Sequence, residues 1–438
     1  MKISPSYYLK AYPWERDSDR LLLFSTKNAS SILISKKTYQ SMQEGGLSAS
    51  DAATLEGLQM LVGSQEAEKK AMLSLIDELN PKSTGMNAIV VLNLDCNFAC
   101  PYCFEGSIKG KHYMTSETAE RLVSFIDQAL ENGKDTLVVD FYGGEPLLSL
   151  DLIVSISERL GAIAEARSAS YGFTLVTNGS LFTAETARKL VGLGLKSVKI
   201  TLDGPAEVHN RSRPFKSGAG SFDTIVKNIK DTCDLVKVGI GGNFTEENYA
   251  EFPLLLDYLQ QEGLTPDRLY QVKFDPVIKH PKAELSPSRY TQGCISIDEP
   301  WVRKAETVLR DEILKRGYHT PKPAPMVCMI ENESAYVVDY DGTFYKCPGF
   351  IGVKAYGVGS LTSGIRDYGK TLNIGLYRND DCAECVYLPL CFGGCRYMAY
   401  LEDGNVDSIN CKKAYYDASL ETLIKQDILY RGPKQTSR

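Results

Sequence analysis

The sequence predicts an α/β protein built around a parallel sheet, and two observations carry that expectation. Between Met86 and about Val277, short apolar runs alternate with amphipathic stretches, the pattern of repeated βα units. The glycine-rich and polar motifs of the same region fall at the ends of those runs, the edge where parallel α/β folds gather their ligand sites. Strands are expected at 88–93, 136–142, 171–177, 196–202, 237–244 and 269–275, and helices at 116–131, 150–166, 183–193, 221–235 and 248–262. Periodicity does not distinguish a doubly wound sheet from a partial (β/α)6 barrel, and both stay open at this level.

The chain before this sheet, 1–80, reads as a small separate unit. Runs rich in aromatic and aliphatic residues at 7–12, 20–24 and 31–34 predict three short strands. Helices are expected at 36–43, 48–61 and 66–79, with Ser48 or Ser50 as an N-cap. Three strands followed by helices describe a winged-helix-like module whose sheet edge can accept an extended peptide as an added strand. The same unit would equally serve to cover the main domain.

After the main domain, 86–277, a bridging region at 278–327 contains Pro281, Pro287 and a helix at 300–315, and ends in Pro321-Lys322-Pro323-Ala324-Pro325, a boundary signal. The remainder, 328–425, holds most of the cysteines, and 334–346 reads as a hairpin with an Asp341-Gly342 turn.

A length of 438 residues with 43% hydrophobic content is enough for two or three domains with sizeable cores. A net charge of -6 and a pI near 5.5 leave no general electrostatic footprint for nucleic acid. The first residues lack an apolar signal core, and no run of about 20 apolar residues could span a bilayer, so a cytoplasmic protein without a membrane partner is expected.

Twelve cysteines in such a chain read as metal ligands rather than as a disulfide framework. Cys96, Cys100 and Cys103 follow a buried-strand pattern at spacing C-x3-C-x2-C. Structural zinc wants four ligands, usually taken in pairs. Three thiolates with an open fourth position better fit a [4Fe-4S] cluster with one iron free. Seven more cysteines run from Cys328 to Cys411, and the C-x2-C-x5-C-x3-C block from Cys382 to Cys395 points to metal by density alone. Cys233 and Cys294 stand apart and read as buried apolar thiols.

The strand ends carry further chemistry. Gly143 and Gly144 would let a ligand approach the backbone closely, and Glu145 with the glycine carbonyls would suit a ligand ammonium group. Thr177-Asn178-Gly179 and Thr201-Leu202-Asp203-Gly204-Pro205 end later strands with hydroxyl and amide groups. Each motif is also a plain turn signal; three at successive strand ends form a site. Lys109 and Lys111 read as a solvated loop, His209 as a local cap or packing residue, and Tyr397 and Tyr400 as aromatic packing near Cys395.

With both cysteine blocks in view, residues Met86 to Tyr416 resemble the radical S-adenosylmethionine (AdoMet) enzymes that carry a C-terminal SPASM domain. The resemblance makes the partial (β/α)6 barrel the expected fold, with a small C-terminal iron-sulfur domain. It implies that Cys96, Cys100 and Cys103 hold a [4Fe-4S] cluster whose open iron is chelated by AdoMet. Tyr102 would sit near the adenine, Gly143, Gly144, Glu145 and Pro146 would receive the methionyl amino group, and Asn178 and Thr201 would complete the polar site. Arg213, or Arg211, would meet the AdoMet carboxylate, a pairing guanidinium favours; a solvated turn is the other reading.

The usual SPASM pattern supplies eight thiolates for two auxiliary clusters, and this chain offers seven, with Ser334 where the eighth is expected. Carried over by motif order, Cys382, Cys385, Cys391 and Cys411 would fully ligate one cluster. Cys328, Cys347 and Cys395 would hold the other with an iron left open for water, another side chain or a substrate thiolate. Three clusters in all are thus implied.

In such enzymes AdoMet is split to a 5′-deoxyadenosyl radical that takes a hydrogen atom from substrate. The expected function is maturation of a ribosomally made peptide by thioether cross-linking, with 1–80 gripping the leader sequence and a flavodoxin or ferredoxin supplying low-potential electrons. The alternatives are an anaerobic sulfatase maturase forming formylglycine, which usually has aspartate where this chain has Pro348, and carbon–carbon or carbon–oxygen cross-linking or epimerisation. A zinc-ribbon scaffold without enzymatic activity is the reading from another class.

Overall fold

The computed structural model describes residues 3–279 and 292–431; Pro281, Pro287 and the rest of 280–291 lie outside the described residues. At the N-terminus, β1 (Ser4–Pro5) will pair with a later strand, while β2 (Leu9–Pro13), β3 (Arg20–Ser25) and β4 (Ser31–Ser35) form an antiparallel sheet. Helices α1 (Lys36–Glu44), α2 (Ala49–Gly57) and α3 (Gln65–Leu79) follow. Each starts at a serine, Ser35, Ser48 or Ser64, whose hydroxyl accepts the N–H three residues on. The second helix stops at Gly57, short of the expected Leu61, because β5 (Leu61–Val62) is taken up pairing with β1.

The central strands are β6 (Gly85–Asn93), β7 (Thr136–Gly143), β8 (Ser170–Thr177), β9 (Leu195–Thr201), β10 (Lys237–Phe244) and β11 (Gln271–Pro276). They are parallel and lie side by side in the order of the sequence. A doubly wound sheet reverses its strand order at a switch point. Through these six strands the order never reverses, so they wind one way as barrel staves do, and the alternative left open by periodicity falls away. Val90, Val91 and Leu92 of β6 are all fully buried, which is why a strand covered on both faces reads as an unbroken apolar run.

Helices α4 (Ser116–Glu131), α5 (Leu150–Ala166), α6 (Ala184–Gly192), α7 (Ala206–Ser212), α8 (Phe222–Thr232) and α9 (Phe252–Gln261) connect these strands. In α4 the buried residues Ala119, Leu122, Val123, Ile126 and Leu130 keep helical spacing and make one apolar stripe.

Past α10 (Pro300–Lys315), the chain returns to the other edge of the sheet: β12 (Ala335–Val338) pairs parallel to β6. The hairpin strand β13 (Thr343–Tyr345), then β14 (Gly359–Ser360) and β15 (Gly364–Ile365), extend it antiparallel, so one sheet carries ten strands. Short helices α11 (Asp380–Ala383), α12 (Leu388–Cys391) and α13 (Arg396–Asp403) frame the last cysteines before α14 (Lys413–Arg431).

The N-terminal unit is built onto this last region. Leu23, on one face of β3, packs with Ile34, Met42 and Leu55 of its own unit. Leu22 and Phe24, on the other face, share a core with Tyr387, Leu390, Leu420 and Ile424. Polar contacts follow the same seam, with the Tyr7 hydroxyl donating to Glu384 O at 2.7 Å and the Thr26 hydroxyl to Val386 O at 2.6 Å. Among the described residues, no helix is long and apolar enough to cross a membrane.

Candidate active site at the strand ends

Parallel winding puts every strand's C-terminal end at one edge, and the first cysteine loop leaves β6 there. The loop is closed at its neck by Leu94 N–H to His112 O (2.9 Å) and Gly110 N–H to Leu94 O (3.2 Å). It is strapped from the side by the segment after α7, through Ala99 N–H to Pro214 O and Lys216 N–H to Asn97 O, both 2.9 Å.

The next strand end locks into it. Gly144 N–H donates to Asn93 O at 3.0 Å and Glu145 N–H to Asp95 O at 2.7 Å. A Cβ on Gly143 would stand 2.2 Å from Asn93 O, and one on Gly144 2.2 Å from Asp95 O. These glycines therefore admit the protein's own backbone, the carbonyls at the root of the cysteine loop, in addition to anything a ligand brings.

Glu145 is fully buried, and its carboxylate accepts from the Thr177 hydroxyl (2.7 Å), Asn178 N–H (2.8 Å) and Leu147 N–H (3.0 Å). It ties the ends of β7 and β8 together, and burial raises its pKa against those hydrogen bonds. Pro146 starts the short 3-10 turn that Glu145 caps. The side-chain amide of Asn178 donates to Asn97 Oδ1 at 2.8 Å and stands 3.9 Å from Cys96 Sγ, so it braces the cysteine loop. Thr201 ends β9, half-buried.

Tyr102, Asp203, Arg213 and Asn243 meet in one buried network across the mouth. The Tyr102 hydroxyl donates to Asp203 Oδ2 and accepts from Arg213 Nη1 at 2.7 Å, while Asn243 N–H donates to Asp203 Oδ1 at 2.7 Å. Arg211 is exposed and pairs with Glu207 at 3.4 Å. His209 is fully buried: its Nδ1 accepts from Asp203 N–H at 3.1 Å and its Nε2 lies 3.0 Å from the Ser221 hydroxyl. Burial, with Arg213 nearby, pushes its pKa down to about 3, so it is neutral packing.

Burial pushes the Cys96 thiol up to about 11 and also raises Cys100. Left alone these thiols keep their protons; metal binding exchanges proton for metal. Lys109 leaves the solvated role expected of it. The loop closure half-buries it, and although burial opposes its charge, Cys103, Cys96 and Cys100 together raise its pKa. Its ammonium is thus within electrostatic reach of all three thiols and hydrogen-bonds Cys103. Beside it lies Glu105, 3% exposed, whose pKa burial raises to about 7. Neither residue carries a motif that marks it in the sequence.

The seven C-terminal cysteines fall into two groups. Cys347 feels Cys395 and Cys328, and burial pushes it up to about 12. Cys391 feels Cys385 and Cys382, and those two feel Cys411. Gly394 makes the second group possible: a Cβ there would stand 1.9 Å from Asn410 O, so only glycine lets the segment ending at Cys411 lie against the Cys391–Cys395 loop. Tyr142, at the end of β7, faces both Cys103 and Cys347, with Tyr397 beside it. Cys233 and Cys294 are buried away from both groups. Ser334 Oγ accepts from Lys134 Nζ at 2.6 Å.

Among the described residues, no three His, Cys, Asp or Glu side chains close around a single metal ion. Zn–S bonds of about 2.3 Å would draw sulfurs to within about 4 Å of one another, whereas cluster thiolates each bind a separate iron. A zwitterionic ligand also has partners here, since the buried Nε of Arg213 has no hydrogen-bond partner among the described residues.

A family model described as the radical SAM superfamily matches residues 90–259. The chain is 24% identical over 362 residues to the Fe-coproporphyrin III synthase of Methanosarcina barkeri, covering 74% of this chain and 87% of that one. It is 22% identical over 384 residues to a cysteine-type anaerobic sulfatase-maturating enzyme of Clostridium novyi, covering 77% and 96%. It is 30% identical over 266 residues to the uncharacterized protein MJ0907 of Methanocaldococcus jannaschii, covering 60% and 84%. Among solved structures, anSMEcpe with bound AdoMet and the Kp18Cys peptide matches with a TM-score of 0.62 at 19% identity, over 79% of this chain and 97% of its own. Streptococcus suis SuiB bound to precursor peptide SuiA matches with a TM-score of 0.53 at 15% identity, over 93% and 99%. At these identities the structures establish a shared fold.

The chain belongs to the radical SAM superfamily and is an enzyme. That membership implies a [4Fe-4S] cluster and AdoMet.

Proposed function

We propose that the chain matures a ribosomally made, cysteine-containing peptide by closing thioethers between a cysteine sulfur and a carbon of the same peptide. The observation that supports this reading is the grouping of Cys328, Cys347 and Cys395, three thiols where four are usual, with Tyr142 within electrostatic reach of both Cys347 and Cys103. Ser334, where an eighth cysteine is usual, is engaged with Lys134. The vacancy suits a substrate thiolate, for which iron has high affinity.

When bound, the first cluster and AdoMet supply a primary carbon radical able to take a hydrogen atom from an unactivated carbon. The chain's own residues do the rest. Cys96, Cys100 and Cys103 hold the cluster, Arg213 Nε meets a carboxylate and the Gly143 and Gly144 carbonyls an ammonium group. Tyr102, Pro146, Asn178 and Thr201 shape the AdoMet pocket, and Glu145 fixes the two strand ends in place. A thioether replaces one C–H and one S–H by one C–S bond: a hydrogen atom goes to the radical, a proton to solvent and one electron to the auxiliary site.

Cys382, Cys385, Cys391 and Cys411 then hold a third cluster, reached by a flavodoxin- or ferredoxin-like donor. Residues 1–80 act as the winged-helix-like grip for the leader, which adds a strand at a free edge of the β2–β3–β4 sheet. SuiB in complex with SuiA and anSMEcpe in complex with a peptide favour a peptide substrate.

Co-expression with a short cysteine-containing peptide, followed by mass spectrometry, tests the reading. A thioether removes two hydrogens and blocks cysteine alkylation. Loss of two hydrogens with the cysteine still alkylated would replace it with carbon–carbon or carbon–oxygen linkage. An aldehyde at the cysteine would establish formylglycine chemistry, which the sulfatase-maturating relatives favour and Pro348 disfavours.

A further inference from the structure

Arg396 opens α13, one residue after Cys395, and is 1% exposed. A guanidinium carries five N–H donors in a fixed fork and keeps its charge in any protein environment. Here only one nitrogen is served. Nη2 donates to Glu331 Oε1 at 2.6 Å, with Asn373 O a distant 3.5 Å away. Nε and Nη1 are both buried and have no hydrogen-bond partner among the described residues. Glu331 has little more to give, since its two oxygens also accept from Gly375 N–H at 3.2 and 3.1 Å.

The other buried cation in this region is satisfied. Lys346 donates to Asn332 O at 2.6 Å and Ala335 O at 2.5 Å, and its ammonium lies 4.4 Å from the Tyr336 ring centre and 5.0 Å from that of Tyr368. Near these three cysteines the shortage of acceptors therefore falls on Arg396, which leaves two nitrogens unserved. Sulfur is near it: Arg396 follows Cys395 directly, and its charge lowers the pKa of Cys328, which Cys395 raises. Gly393, held at φ 84°, puts no side chain of its own against Nη1; a Cβ there would stand 3.3 Å from that nitrogen.

We infer that Arg396 donates its Nε and Nη1 hydrogens to the sulfur shell of the cluster held by Cys328, Cys347 and Cys395, and thereby raises that cluster's reduction potential. The inference rests on the reading that these three cysteines hold a cluster. Hydrogen bonds to cluster sulfurs and a neighbouring positive charge both stabilise the reduced, more negative state. The cluster best placed to accept the electron left over from thioether closure is thus made the better acceptor. Glu331 is the positioning residue, fixing the fork by its third nitrogen.

The test is an anaerobic redox titration followed by electron paramagnetic resonance, in full-length protein carrying Cys96→Ala, Cys100→Ala and Cys103→Ala so that only auxiliary clusters report. Two variants are compared in that background. Arg396→Lys keeps the charge opposite Glu331 but loses the fork, and Arg396→Gln with Glu331→Gln removes both charges together. With about eight irons per chain in all three proteins, both variants should lower the potential of one titrating step and leave the other unmoved. Unchanged potentials at full iron content would overturn the inference alone, as would equal shifts in both steps. Loss of four irons on Arg396→Lys would make the residue a structural strut instead. About four irons in the unsubstituted background would remove the cluster, and with it both the reading and the inference.

Discussion

Substituting Gly144 by alanine puts the closest approach in the site to a direct trial. The added Cβ would stand 2.2 Å from Asp95 O, 2.7 Å from Asp95 C and 3.0 Å from Leu94 C, all backbone atoms, where real Cβ contacts essentially never fall below 3.0 Å. No side chain can swing away, so the strand end and the cysteine loop must part by about 1 Å. Parting them stretches the Glu145 N–H to Asp95 O bond of 2.7 Å and the Gly144 N–H to Asn93 O bond of 3.0 Å. Each is worth about 1 kcal/mol net, and the overpacking adds roughly 1–3 kcal/mol. A displacement of about 1 Å at a reacting centre costs on the order of 100-fold in rate. Release of 5′-deoxyadenosine by reconstituted protein should therefore fall about 100-fold. Gly192→Ala serves as the control, with nothing within 4 Å of its added Cβ. If Gly144→Ala cleaved AdoMet at the unsubstituted rate with its iron complete, the reasoning about this contact would be wrong.

Other outcomes follow from burial and charge. Burial raises the Asp339 carboxyl from 3.8 to about 6, so its contribution is present below pH 3.8 and lost as pH rises through 6, about 3 kcal/mol in all. Asp339→Asn should raise the urea midpoint at pH 8 and have little effect at pH 4. His209 runs the other way: its pKa is lowered from 6.5 to about 3, so stability is full above pH 6.5 and declines by about 5 kcal/mol as pH falls toward 3. Acid titration followed by imidazole NMR should find this ring still neutral at pH 5. Leu22→Ala, at a fully buried position of the seam between the N-terminal sheet and α14, should cost about 2–5 kcal/mol locally. If 1–80 grips a leader as proposed, the variant should weaken leader-peptide binding in fluorescence anisotropy while AdoMet cleavage without peptide persists.

What the sequence disclosed and what it withheld divide along sequence distance. The six central strands were legible from their apolar residues, continuous where both faces are buried, as in Val90-Val91-Leu92, and alternating in β9, where Lys196 and Lys199 are exposed. Their side-by-side order was not, since pairing such as Gly239 with Gln271 is invisible to local pattern. Helix α7 was hidden behind Gly204-Pro205, which reads as a turn. At the site, thiol spacing announced a cluster, but Tyr102 and Asn243 meet across 141 positions of chain with no shared motif. Lys109 misled for a related reason. Its neighbours Lys111 and Gly110 are those of a surface loop, and only the closure of that loop onto Leu94 turns it inward.

The seam between β3 and α14 also sets a timetable for synthesis. Leu22 and Phe24 are synthesised about 400 residues before Leu420 and Ile424, which cover them. At about 5–20 residues per second, that face waits roughly 20–80 s for its cover. During that interval the nascent N-terminal sheet presents an apolar surface and free edges at once, the combination that invites mispairing. The N-terminal sheet gains its full cover only when α14 arrives, so a ribosome stalled before Lys413 leaves that unit unfinished however well it has begun.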